Sequence, residues 1–374
     1  MNKIKIVYIV PSLMQSGPIN VLYPLVKYLN KDLFDPVICT LHSSRIPSLD
    51  MQSKFESLGV DVYNYSYSLF DLQFRLDKLA KRIQCCFSNN DIIFHAHCYY
   101  PILLLSKFSN RLTMSTIHEI SDLSFVHSRG QILGRYFSNK YKTAFKNLSI
   151  NVLISDSMTD YYGSNLDVRF KTIYNGIEKE YNTYSIEKKI ALKKELGLDD
   201  LNTKIFIFPA GFNFGKNHIY LINAIKKIDR NDFVILFAGQ GETEERCKYL
   251  VGSDNRFKFL GFCKDLSPFW SVSDFLISPS LSEGMPLAVL EALIRGIPTI
   301  LSAIPPHIEI LNHVFNSSNL SFSTNDENSL IDLFLKVLDQ KFDGDEIRNK
   351  TNIYYSAEAM CKGYENIYKQ LVFS

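Results

Sequence analysis

Short apolar runs alternate with helix-length amphipathic stretches from one end of the chain to the other. Ile4–Val10, Pro36–Leu41, Asp91–His95, Thr113–Ile117 and Ile150–Ile154 are brief, rich in Ile and Val, and closed by Pro, Ser or polar residues. They read as buried strands, with Asn20–Leu29 and Phe70–Phe87 reading as helices between them. The pattern then restarts, with strands predicted at Lys204–Phe208, Phe233–Ala238, Arg256–Leu260, Asp274–Ile277 and Thr299–Leu301. Strands alternating with helices build βαβ units, which close into parallel sheets covered on both faces. A Lys- and Glu-rich break over 178–202 divides these strands into two doubly wound α/β domains rather than one wide sheet. A ligand is expected at the carboxyl ends of the strands, in the cleft between such domains.

Composition narrows the class. A length of 374 residues suits two domains. Lys and Arg number 41 against 39 Asp and Glu, which disfavours a nucleic-acid partner. Ile6–Val10 behind Lys3 and Lys5 imitates a secretion signal, but Pro11 ends the run short of the ~7–15 apolar residues one needs. No run approaches the ~18 residues of a membrane span. Seven cysteines without a CxxC spacing signal neither a disulfide framework nor a zinc site, and free thiols point to the reducing cytoplasm.

Charge is uneven. Residues 1–180 carry 20 Lys and Arg against 15 Asp and Glu, and the remainder 21 against 24. The basic half holds Arg129, Arg135, Lys140, Lys142 and Lys146 interleaved with Tyr136, Phe137, Tyr141 and Phe145. Two readings stand: an ordinary helix with aromatics inward and charges solvated, and a helix resting on an anionic membrane surface. They are compatible if one edge of the helix faces lipid, so peripheral contact with the cytoplasmic face of a membrane is a further expectation.

The richest stretch runs from Ser278 to Gly296. Pro286 suits the first turn of a helix and Gly296 its carboxyl cap. Leu287–Ile294 is apolar at every position except Glu291, which predicts a helix buried all round. A carboxylate there needs hydrogen-bonding partners, either the hydroxyls of a bound polyol or a group inside the fold. Ser282, Glu283, Gly284 and Met285 sit where the helix exposes unpaired amides, which makes an anion site. Glu283 is poorly placed if phosphate is the only ligand; a sugar attached to that phosphate resolves the conflict.

Glu-Gly-Met-Pro-Leu at 283–287 followed by Glu291-Ala292 resembles the signature of family 4 glycosyltransferases. Those are retaining enzymes of the GT-B fold, two Rossmann-like domains facing across a cleft. The resemblance extends over nearly the whole chain. Gly17 matches the glycine-rich loop after the first strand, His118 the active-site histidine, and Tyr174-Asn175-Gly176-Ile177 the segment leading into the second domain. Lys216 matches a diphosphate-binding lysine and Gly241 the turn after the second strand of that domain, while Tyr354–Leu371 is similar to a final helix crossing back onto the first domain.

The resemblance implies an acceptor-binding domain at 1–177 with the crossing helix 356–374, and a donor-binding domain at 178–355. It implies transfer of a sugar from a nucleotide-sugar donor, a UDP-sugar being favoured, to a lipid-linked or oligosaccharide acceptor in surface-polysaccharide biosynthesis, with no metal or other cofactor. Lys216 and the amides of Gly284, Met285 and Leu287 would take the leaving diphosphate. Glu291 would accept from the ribose, Glu283 from the donor sugar, and His118 would contact that sugar from the facing domain; Gly17 and Gly241 would let the donor approach. A nucleotide-sugar epimerase of the same fold and an inactive nucleotide-sugar binding protein are the alternatives. Two positions depart from the pattern. The family pairs its lysine with an arginine five residues earlier, where this chain has Gly211, and Ile304–Glu309 lacks the usual Gly-Gly pair.

Three features imitate other chemistries. Gly239-Gln240-Gly241 has Glu244 where a dinucleotide fingerprint needs its third glycine. His95 and His97 share one strand end without a third metal ligand at a recognisable spacing. Asp343-Gly344-Asp345 reads as a turn and helix cap, not a metal motif.

Overall fold

The computed structural model describes residues 3–44, 46–87, 92–163, 166–179, 184–198, 200 and 202–373. Asp91, predicted to open a strand, lies outside them, as do 180–183, 199 and 201 of the predicted break. The chain forms two compact units: Met1–Gly176 with Tyr355–Ser374, and Ile177–Tyr354.

The first unit holds strands β1 (Ile4–Val10), β2 (Phe34–Thr40), β3 (Asp61–Asn64), β4 (Ile92–His97), β5 (Leu112–Ile117), β6 (Ile150–Leu153) and β7 (Phe170–Thr172). All pair in parallel, in the order β3-β2-β1-β4-β5-β6-β7. The inner strands are buried on both faces, which is why each reads as one apolar run. The second unit holds β8 (Lys204–Pro209), β9 (Phe233–Ala238), β10 (Phe257–Gly261), β11 (Phe275–Ser278), β12 (Thr299–Ser302) and β13 (Ser321–Phe322), parallel and ordered β10-β9-β8-β11-β12-β13. In both sheets the order reverses once, between β1 and β4 and between β8 and β11. These are the topological switch points beside which α/β sheets bind ligands. The fold is the predicted pair of Rossmann-like sheets.

Several local predictions change. The three unpredicted strands, β3, β7 and β13, are edge strands of two to four residues. Three of the four β3 side chains are exposed, so no apolar run marks it. The helix expected over Phe70–Phe87 is two, Leu69–Phe74 and Leu76–Cys86, interrupted at Arg75 where φ −128° and ψ 25° leave the helical region. Helix Leu287–Ile294 is not buried all round: Leu287, Ala288 and Glu291 share one partly buried face while its other residues pack inside. Helix Gln131–Phe145 buries Tyr141 and Phe145 but turns Tyr136 outward. Asp343 caps helix Gly344–Tyr355 by accepting from the amides of Asp345 and Glu346 at 2.9 and 3.1 Å.

The last helix, Ala357–Phe373, belongs to the first unit and is held there by buried polar contacts. Tyr368 Oη lies 3.1 Å from Tyr8 Oη and 2.8 Å from His95 Nδ1, and Tyr364 Oη lies 2.9 Å from Thr116 Oγ1. Gly176 meets the start of this helix so closely that a Cβ would stand 2.6 Å from Ala357 Cα. A buried group left without its partner costs roughly 1–3 kcal/mol. Tyr368→Phe, which strands both Tyr8 Oη and His95 Nδ1, is therefore expected to lower stability by about 1–3 kcal/mol in urea unfolding. An unchanged midpoint would show that these bonds do not secure the helix.

Candidate active site

In the second unit the loops leaving β8 and β11 are neighbours because the strands are. The turn after β8 is a single 3-10 turn, Phe214–Lys216, in which Asn213 Oδ1 accepts from the Lys216 amide at 3.1 Å. The Leu281 amide donates to Gly215 O at 2.8 Å and ties the two loops together. Lys216 Nζ then reaches Glu283 Oε1 at 2.5 Å, an ion pair with both side chains partly buried.

The helix after this loop starts at Leu287 behind Pro286. Met285 is buried, and the amides of Gly284, Met285 and Leu287 have no acceptor among the described residues. Three free amides, the positive end of a helix and a lysine make a site for an anion. Glu291 lies on the half-open face of the same helix, and its carboxylate has no hydrogen-bond donor among the described residues. Burial pushes its carboxyl above the usual range, and the Arg295 guanidinium opposes this. Arg295 itself donates to the Glu291 carbonyl at 2.7 Å.

Gly241 sits against the backbone of Phe212, where a Cβ would come within 2.3 Å of the Phe212 oxygen. Close packing of the two turns, joined by Phe212 N–H to Gln240 O at 3.1 Å, accounts for this glycine. Gly211 is different: it is exposed, and a Cβ there would meet nothing nearer than 3.5 Å.

His307 is a residue of this site that the sequence pattern does not mark. Ser302 Oγ donates to Ser280 O at 2.5 Å, which uses its only hydrogen. His307 Nδ1, 3.0 Å from both Ser302 Oγ and Ser302 O, is therefore the protonated nitrogen. Its buried Nε2 is left a bare acceptor without a partner among the described residues. Burial lowers this histidine to about 4, with Glu283 opposing and Lys216 adding to the shift. His307 thus braces the end of β12 against the loop that carries Glu283. The Pro305-Pro306 helix start was the available signal, since it puts His307 in the first turn.

In the first unit, β4 ends on His97 beside β5, and His118 is the first residue after β5. His97 Nδ1 lies 2.9 Å from His118 Nε2 with the rings stacked, which leaves His118 Nδ1 for any other partner. His95 is enclosed, its Nδ1 on Tyr368 and its Nε2 on Thr116 Oγ1 at 2.8 Å. Among the described residues no three His, Cys, Asp or Glu side chains converge to hold a metal. Gly17 is exposed at the start of helix Gly17–Tyr28, and a Cβ there would meet open space.

Burial holds these imidazoles neutral, His95 down to about 3 and His118 to about 4, with His97 well below its ordinary value. Between those values and the ~6.5 of the unfolded chain, the unfolded state binds more protons, so the stabilisation is complete above that range and lost as pH falls through it. Each histidine contributes a slope of up to about 1.4 kcal/mol per pH unit. Thermal unfolding should therefore shift to lower temperature between about pH 6.5 and pH 5, and less so in His95→Gln. A flat profile would mean that the cluster is not held neutral.

Comparison with known proteins follows the two units. Residues 16–181 match the family described as Glycosyltransferase Family 4, and residues 190–356 that described as Glycosyl transferases group 1. An Escherichia coli UDP-Gal:alpha-D-GlcNAc-diphosphoundecaprenol alpha-1,3-galactosyltransferase is 32% identical over 182 residues, and that match spans 46% of either chain. The Staphylococcus aureus capsular polysaccharide biosynthesis glycosyltransferase CapH is 24% identical across 84% of this chain and 86% of its own. Among solved structures, Anabaena HepE in complex with UDP and glucose superposes with a TM-score of 0.79 at 15% identity, covering 98% of this chain and 100% of that one. A Rickettsia africae glycosyltransferase superposes at 0.77 and 18% identity, covering 100% and 99%.

Proposed function

Because this chain belongs to glycosyltransferase family 4, we propose that it moves a sugar from a nucleotide sugar, a UDP-sugar being favoured, to a lipid-linked or oligosaccharide acceptor. The process served is surface-polysaccharide biosynthesis, with retention at the anomeric carbon and without a metal. The observation that carries this reading is one helix end where free amides, the Lys216–Glu283 pair and a Glu291 carboxylate with no hydrogen-bond donor among the described residues occur together. Anion donors alone would suit any phosphate. Two carboxylates beside them suit a phosphate ester bearing hydroxyls at both ends. The names of the Escherichia coli and Staphylococcus aureus relatives, and the UDP and glucose in HepE, agree with this chemistry.

Expulsion of a nucleoside diphosphate builds negative charge on its phosphate oxygens and positive character at the anomeric carbon. The amides of Gly284, Met285 and Leu287 and the Lys216 ammonium receive the former, each charge-assisted bond being worth about 1.5–3 kcal/mol. Glu283 holds Lys216 in the free protein; phosphate oxygens displace it and leave it to accept from the donor sugar. Glu291 accepts from the ribose hydroxyls, and His118, with Nε2 engaged by His97, offers Nδ1 to the sugar. The departing phosphate takes the proton of the acceptor hydroxyl on the same face, which gives retention.

Incubation with UDP-, GDP- and ADP-sugars tests the reading. Nucleotide release that persists in EDTA is expected; an isomerised donor would establish an epimerase, and binding without turnover a binding protein. Glu291→Gln should weaken donor binding by about tenfold or more, and wild-type affinity should fall on acidification above the pH at which an ordinary glutamate titrates. Unchanged affinity would remove the ribose contact. Glu283→Ala should lower turnover while UDP binds as well or better, since it frees the Lys216 ammonium from an internal competitor. Gly211→Arg has room to fold and should tighten UDP binding several-fold by calorimetry.

A further inference from the structure

Helix Gln131–Phe145 turns one side to the fold, burying Gly134, Ser138, Tyr141, Ala144 and Phe145. On the other side Ile132, Leu133 and Tyr136 are 86%, 58% and 55% exposed. Ile132 and Tyr136 stand one turn apart with Leu133 beside them, so the three form an apolar ridge along the first half of the helix.

Cations surround the ridge. Arg129 ends the preceding helix with its guanidinium 4.3 Å over the Phe137 ring. Arg135 and Lys146 are exposed, and Lys140 lies one turn beyond Tyr136. Lys142 does not join them, because it is ion-paired with Asp122. From residue 123 to residue 155 the sequence contains no Asp or Glu, so no acid within that stretch offsets the four. A folded protein partner would need acids placed in register around an apolar groove. A bilayer containing anionic lipid supplies mobile negative headgroups and hydrocarbon with no register at all. No described helix is long and apolar enough to cross a membrane, so such an association is interfacial.

We propose that this face docks on an anionic lipid bilayer, with Ile132, Leu133 and Tyr136 entering the boundary between headgroups and acyl chains and Arg129, Arg135, Lys140 and Lys146 meeting lipid phosphates. The proposal rests on the lipid-linked acceptor proposed above and specifies how the chain reaches it. Co-sedimentation of the full chain with vesicles of phosphatidylcholine, alone or with about 30% phosphatidylglycerol, tests it. Binding is expected only to the anionic vesicles and should weaken with salt.

Combined Ile132→Ser, Leu133→Ser and Tyr136→Ser should reduce binding by about tenfold or more. Arg135→Gln or Lys140→Gln should each reduce it about fivefold. Tyr249→Ser is the control, since Tyr249 is 87% exposed but follows Glu244 and Glu245 on its helix, and it should bind as wild type. Thermal unfolding of each variant should match wild type. Equal binding to neutral and anionic vesicles, no binding, or full binding by the triple-serine variant would overturn the proposal. Self-association abolished by the same three changes would overturn it too, by making a second copy the occupant. Vesicle binding without nucleotide release from any donor would refute the transferase reading and leave the surface standing. Transfer to a water-soluble acceptor without vesicle binding would refute the surface alone.

Discussion

The pairing of β8 with β11 is the constraint on which the second unit's chemistry depends. Parallel neighbours end on the same edge, so the loops after Pro209 and Ser278 emerge side by side although some seventy residues of chain separate them. Leu281 can then bond to Gly215, and Lys216 can reach Glu283. Were β10 beside β11, as sequence order suggests, the lysine and the glutamate would leave different parts of the edge. β12 continues the effect, since its last residue, Ser302, links Ser280 to His307.

The first unit repeats the arrangement with different chemistry. β1 lies beside β4, and β4 beside β5, so the helix opened by Gly17 and the His97–His118 pair leave one edge of one sheet. Two buried imidazoles and the partly buried His118 would be costly if charged; they are tolerated as neutral rings whose hydrogen bonds are largely made inside the fold. Helix Ala357–Phe373 supplies part of that network through Tyr368 and Tyr364, so the chain's last helix helps set the protonation of groups near its first strand. Structure and chemistry share residues here. His95 is a clamp for that helix, while His118 keeps one nitrogen open.

Inner strands were legible because burial on both faces leaves an unbroken apolar run, as in Ile6–Val10 and Phe233–Ala238. β3, β7 and β13 were not, because an edge strand is stabilised by backbone bonding to one neighbour and its side chains stay free to be polar. Helix Leu287–Ile294 was legible at both ends from Pro286 and Gly296, the latter at φ +78°, where a side chain is disfavoured. Its half-open face was not, since the same eight residues would read identically if packed all round.

The sequence by itself determined two doubly wound sheets and the helix-end residues of the candidate site, because apolar periodicity, Pro286, Gly296 and the placing of Glu283 and Glu291 about that helix are local properties of the chain. Only the tertiary structure decided that Glu283 is held by Lys216 while the Glu291 carboxylate accepts no hydrogen bond from the described residues, that Gly241 is required by the backbone of Phe212, and that His307 carries its proton on Nδ1. It also decided that Tyr136 faces outward beside Ile132 and Leu133. Each of these depends on which distant segment lies across a contact of a few ångströms. Strand order sets that, and strand order is fixed by how the helices cover the sheets rather than by any single stretch of sequence.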